Sequence, residues 1–190
     1  YGEKVSVVST GMGCPSTAIA LEELIHLGAD TFIRVGTAGC INEKLRKPDT
    51  LGGVITGAVR GDGTTDMYVP KSYPAISDRH LVDALSVAAE KLGYHFDEGI
   101  SYTKDSFYSY CLPDSVPMGE QIKAEYAMWK KANVLLTEME AAAILVISSI
   151  RGCRAAGIMA YSDAADVSEN VEKEIQTACE AIRILIQRDK

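Results

Sequence analysis

Arg34 stands in the apolar run Phe32-Ile33-Arg34-Val35 and is followed at once by Gly36-Thr37-Ala38-Gly39. Burying a guanidinium without a partner costs several kcal/mol by order of magnitude, so Arg34 needs an anion. Two partners suit it. One is a carboxylate such as Glu138, in a structural pair. The other is a bound phosphate, gripped by the arginine fork with the Thr37 hydroxyl as a further donor. Glu138 and Glu140 flank Met139 and directly precede the apolar run from Ala141 to Ile150. Carboxylates at a helix start favour its dipole by about 0.3–1 kcal/mol. That explains one exposed Glu well and a pair flanking Met less well. A carboxylate on a pocket floor would instead grip the vicinal hydroxyls of a ribose. Phe107 offers a face to a base or sugar, or belongs to the core. Asp163 follows an apolar run; it caps the next turn, or donates a proton to a leaving group if burial disfavours its charged form.

The elements that would carry these residues can be read from the chain. Lys4 to Ser9 reads as a β-branched strand ending at the Gly11-Met12-Gly13 turn. Pro15 suits the first turn of a helix over about Ser16–Leu27, stopped by Gly28. Thr31–Val35 is the next strand, and this strand–helix–strand order implies a parallel pair. Gly53–Val59, Gly99–Tyr102, Asn133–Leu136 and Ala155–Ala160 supply further strands. Asp78 caps a helix reaching Leu92, Gly119–Lys131 is a second, Ala141–Ile150 a buried third, and about Val171–Gln187 an amphipathic last one. Arg60–Ser77, with Pro70 and Pro74, reads as a long surface excursion. The expected fold is a single α/β domain over residues 1–190, with a mostly parallel central sheet flanked by helices. Ligands in such folds bind at the carboxyl ends of the strands, so Arg34, Thr37, Phe107, Glu138, Glu140 and Asp163 are expected on one rim. The chain begins at Tyr1 almost on its first strand, which leads to the expectation that an N-terminal segment precedes it.

Bulk properties exclude several classes. With 19 Lys and Arg against 26 Asp and Glu, the net charge is -7. That disfavours a nucleic-acid or anionic-membrane surface. No run approaches ~18 apolar residues, so no membrane span is expected. The five cysteines (14, 40, 111, 153 and 179) and three histidines are scattered, without a CxxC pair. No metal site is expected, and free thiols suit a reducing, cytoplasmic setting. Cys40 is either a reactive thiol beside a glycine loop or a small semi-buried residue. A dinucleotide site fails on two counts. Ser16 replaces the third glycine, and Asp30 precedes the second strand instead of ending it.

Ser9-Thr10-Gly11-Met12-Gly13-Cys14-Pro15-Ser16, Phe32-Ile33-Arg34-Val35-Gly36-Thr37-Ala38-Gly39, Ser106-Phe107-Tyr108 and Thr137-Glu138-Met139-Glu140-Ala141-Ala142 occur in this order. Together they resemble the nucleoside phosphorylase family of the hexameric bacterial type, and within it the uridine phosphorylases. The resemblance implies phosphate binding by Arg34 and Thr37, with Thr37 also near the ribose. It implies ribose binding by Glu138, Met139 and Glu140, and a base bordered by Gly39 and Phe107. Arg34, Glu140 and Asp163 are the expected catalytic residues. No cofactor is implied beyond phosphate as co-substrate. A homo-oligomer, a hexamer built from dimers with shared sites, is implied as well. The places where uridine phosphorylases carry a Gln and an Arg for the uracil edge hold Cys111 and Pro113 here. Gln121 or Lys123 is the expected substitute. Ser162-Asp163 resembles instead the segment whose Asp protonates a purine in related enzymes.

The expected reaction is phosphorolysis of a nucleoside, uridine first, to free base and pentose 1-phosphate. Arg34 would fix the phosphate, and Glu140 would orient the sugar and favour its developing positive charge. Purine or mixed specificity stays open, as do hydrolysis by water and a non-catalytic nucleoside-binding protein.

Overall fold

The computed structural model describes residues 3–163 and 167–190. Helix α1 (Cys14–His26) starts with Pro15 in its first turn and ends at Leu27. Strands β1 (Thr31–Cys40) and β2 (Gly52–Gly61) follow, then the two-residue β3 (Ala75–Ile76). Helix α2 (Arg79–Leu92) is capped by the Asp78 carboxylate, which accepts from the amides of His80 and Leu81. Then come β4 (Phe96–Lys104), the single turn α3 (Tyr108–Cys111), α4 (Gly119–Lys131) and β5 (Leu136–Glu138). Helix α5 (Ala141–Ile150), β6 (Arg154–Tyr161) and α6 (Val167–Arg188) complete the described chain.

The sheet runs β3-β2-β4-β5-β1-β6, and β2 also pairs with β6, so five strands close into a ring. The long ladders, β1–β6 and β2–β4, are parallel. The short pairings β1–β5 and β2–β6, which close the ring, are antiparallel. Helix α5 is buried on nearly every side because Ala141 to Ile147 carries no polar side chain; Leu145 and Val146 join Ile55, Leu136 and Met159 in the main core. Helices α2 and α6 cover the sheet elsewhere through Leu81, Leu85, Ala181 and Leu185. Each fully buried leucine of this kind contributes roughly 1.5–3 kcal/mol.

Three expectations need correction. Residues 4–10 form no strand; Val7 is 99% exposed, and among the described residues no strand neighbours the segment. β-branched residues favour a strand only where a partner and a face to pack on exist. The Arg60–Ser77 excursion is ordered around a buried side chain. Arg60 donates to Thr65, to Asp66 and to the carbonyls of Val69, Pro70 and Tyr73. Finally, the carboxyl ends of the strands do not share one rim. β1 and β6 run opposite to β2, β4 and β5, so their ends lie apart.

Candidate active site

That antiparallel join of β1 and β5 creates a charged knot. β5 runs back along β1, with Thr137 opposite Gly39, so Glu138 and Glu140 reach Arg34 in mid-strand. The Arg34 Nε lies 3.2 Å from Glu138 Oε2, and its Nη2 pairs with Glu140. Its Nη1 rests on the Met159 sulfur. The Arg34 side chain is 12% exposed, that of Glu138 0% and that of Glu140 11%. The guanidinium lies over Gly36, where any Cβ would stand 2.8 Å from Nη1; a larger residue would displace the arginine.

Glu138 is fully engaged. Its Oε1 accepts from the Thr103 hydroxyl at 2.6 Å, and Oε2 from the amides of Glu140 at 2.7 Å and Ala141 at 2.6 Å. Thr103 in turn accepts from the Ala142 amide at 3.0 Å. Glu138 therefore satisfies the open amides at the start of α5, with no carboxylate oxygen left unoccupied. Glu140 accepts instead from the amide of Gly13, which sits at φ 88°, a conformation that favours glycine. This bond ties the first glycine loop to the knot.

A third acid joins from α6. Glu174 accepts from the Gly36 amide at 2.7 Å, while its other oxygen has no hydrogen-bond partner among the described residues. Burial pushes its carboxyl up to about 8, with the Gly36 bond and the Arg34 charge pulling the other way. Sequence reading missed Glu174 and Thr103. One signal was available for Glu174: it is spaced four, seven and eleven residues before Ala178, Ala181 and Leu185, on the buried stripe of α6.

The other expected residues lie elsewhere. Thr37 and Gly39 alternate to the face of β1 opposite Arg34, and Thr37 is exposed. Met139, between the two glutamates, is half-buried, and its carbonyl accepts from the Cys14 thiol at 3.3 Å. Phe107 is 53% exposed, edge-on to Tyr108 at 5.4 Å between centroids. Gln121 is exposed on α4 and, among the described residues, bonds neither to the knot nor to Phe107. Lys123 is committed to Asp114 and Glu120. Asp163 is not a buried acid: its side chain is 45% exposed and pairs with Arg46 at 3.0 Å, whose guanidinium lies 4.4 Å over the Tyr161 ring. The burial required of a proton donor is not met. Residues 164–166, adjoining Asp163, lie outside the described residues. Cys40 is half-buried, and burial pushes its thiol up, which favours the unreactive reading. Among the described residues, no three His, Cys, Asp or Glu side chains group as a metal site. None of the described helices is long and apolar enough to cross a membrane.

Comparison with known proteins gives this geometry a family. Residues 1–188 match the model of the phosphorylase superfamily. A uridine phosphorylase from Treponema pallidum (strain Nichols) is 39% identical over 197 residues, covering 97% of this chain and 74% of that protein. A guanosine phosphorylase from Halorubrum lacusprofundi is 35% identical over 158 residues, covering 83% of this chain and 60% of that one. Among solved structures, the P. knowlesi homologue of P. falciparum PNP superposes with a TM-score of 0.76 at 26% identity, covering 95% of this chain and 71% of that one. A buried arginine between two glutamates, seated on a glycine strand in a closed α/β ring, is thus a feature of a chain that belongs to the phosphorylase superfamily.

Proposed function

We propose that this chain carries out phosphorolysis of a nucleoside, with uridine the preferred substrate, giving free base and pentose 1-phosphate. The observation that carries the reading is Arg34, held in place by Glu138 and Glu140 with only a thioether sulfur on its remaining nitrogen. Sulfur is a weak acceptor, and a phosphate oxygen displaces it readily. Arg34 then fixes the phosphate below the anomeric carbon; Thr37, on the opposite face of β1, belongs to the sugar and base side. Glu140, anchored by the Gly13 amide, takes the ribose hydroxyls and favours positive charge on the sugar. Met139 and Gly39 line the sugar and base, and Phe107 covers the base. Glu138 acts through Arg34 and α5 as a positioning residue. Inorganic phosphate is the co-substrate, and no other cofactor takes part. The half-exposed Phe107 supports a site completed by a second copy of the chain, in a dimer-based hexamer. The free thiols suit the cytoplasm.

The test is base release from uridine and from inosine, each with and without phosphate. Uracil release that requires phosphate is expected. Release of hypoxanthine alone would assign a purine phosphorylase; release without phosphate would assign a nucleosidase. Release of neither base would leave a binding protein. Light scattering of the eluting protein reads the hexamer.

A further inference from the structure

Lys104 ends β4 with only 6% of its surface exposed, yet it is ion-paired to no carboxylate among the described residues. Its ammonium lies 4.9 Å from the centroid of the Tyr110 ring, and among the described residues no carboxylate stands within ion-pair distance of it. Burial holds it below the ordinary lysine range, while the nearby Cys111 and Glu138 act in the opposite direction. A buried cation without a counter-charge is costly, which makes an anionic ligand the natural partner.

Register places it. Thr137 pairs with Gly39 on one side and Tyr102 on the other, so these three share a row on one sheet face. The pairing ends with Thr103 opposite Glu138, and Lys104 follows as the last residue of β4, alternating to the face of Tyr102, Thr137 and Gly39. With strands about 4.8 Å apart and β5 between them, β4 and β1 run about 10 Å apart. Phe107 follows Lys104 three residues later. The other cations of this region are engaged: Lys123 by two carboxylates, Arg46 by Asp163.

We propose that Lys104 meets the negative charge of the leaving base. The inference rests on the phosphorylase reading. A phosphate oxygen bonds to the anomeric carbon, and the electron pair of the glycosidic C–N bond passes to the base. The resulting pyrimidine anion, its charge spread over ring nitrogens and carbonyl oxygens, takes hydrogen bonds from the ammonium. The proton of the attacking hydrogen phosphate, now on the sugar ester, leaves for solvent, and the base anion takes one up as it departs. Lys104 thereby fills the place of the side-chain donors absent at Cys111 and Pro113.

Lys104→Met and Lys104→Arg, assayed on uridine and 5-fluorouridine, test this. Fluorine makes the leaving base more acidic and less dependent on a cation. Lys104→Met is expected to lose at least about tenfold more kcat on uridine than on 5-fluorouridine, the equivalent of 1.4 kcal/mol in selective stabilisation of the leaving group. Lys104→Arg is expected to keep most of the activity. Equal losses on both substrates, or no loss, overturn the proposal. If Lys104→Met does not fold, the wild-type protein still decides: anionic barbiturate should bind at least about tenfold tighter than neutral uracil, and equal affinity refutes the cation. A wild-type protein that releases no base from either nucleoside refutes the phosphorylase reading itself, a separate outcome.

Discussion

The Arg34 knot and the Phe107 side of β1 differ in how tightly the chain itself holds them. In the knot, the Arg34 guanidinium, three carboxylates, the Thr103 hydroxyl and the amides of Gly13 and Gly36 fix each other, and every side chain is nearly out of solvent. Outside it, Thr37 is exposed on the other face of β1, Phe107 is half-exposed and Asp163 holds a half-exposed ion pair. On the proposed reading, the end that takes phosphate and ribose is the one preorganised by the fold, which charge stabilisation requires. On the same reading the base end is left to be shaped by ligand, and similar proteins include both a uridine phosphorylase and a guanosine phosphorylase.

Removing the centre of the knot is the largest way to break this contrast. Arg34→Met leaves Glu138 and Glu140 unpaired in a nearly dry site. Loss of about 3–5 kcal/mol of stability is expected, read by denaturant unfolding. Turnover should fall by about 10²–10³ or more where the variant folds. Arg34→Lys keeps the charge and loses the fork, so it should recover stability better than turnover. Near-normal stability of Arg34→Met would show that the knot is not the anchor its geometry indicates.

Glu174 sharpens the same side by pH. Its ordinary value is 4.5 and its folded value about 8, so the folded chain holds a proton that the unfolded chain releases between these limits. Its contribution is full below pH 4.5 and is lost as pH rises towards 8 and beyond. The loss is on the order of a few kcal/mol. Glu174→Gln should flatten the fall in unfolding free energy across that window while keeping the Gly36 bond. An unchanged slope would place the titration elsewhere.

The knot was also the part most legible in the sequence. An arginine inside Phe32-Ile33-Arg34-Val35 and two glutamates before an all-apolar helix declare a buried charge problem, and one of the two candidate answers named Glu138. Its geometry was not legible, because contact between residues 34 and 138 depends on the antiparallel β1–β5 join, which local periodicity does not encode. The same long-range pairing defeated the single-rim expectation and hid Thr103 and Glu174. Most helices were legible, since Asp78, Gly93 and the apolar run after Glu140 are local signals. Lys4 to Ser9 failed for the converse reason: a local strand signal has no effect without a neighbour.

Two smaller changes probe the open face. Phe107→Ala removes a half-exposed ring, so stability should change by less than about 0.5 kcal/mol. Loss of an aromatic face for the base should raise KM by about tenfold, within the ~1–3 kcal/mol such stacking carries, with little change in kcat. An unchanged KM would remove Phe107 from the base site. Asp163→Asn should act least on uridine. It breaks an exposed pair with Arg46, worth at most about 1 kcal/mol, and Arg46 retains the Tyr161 ring. Uridine turnover within about twofold of the parent is expected, because a uracil anion needs a cation and not this acid. Turnover of inosine is the informative comparison. If it is present in the parent and falls by about 10² or more in Asp163→Asn, the acid is protonating a purine. The Arg46 pair would then have to open when substrate binds, and the base end would be a switch instead of a loose rim.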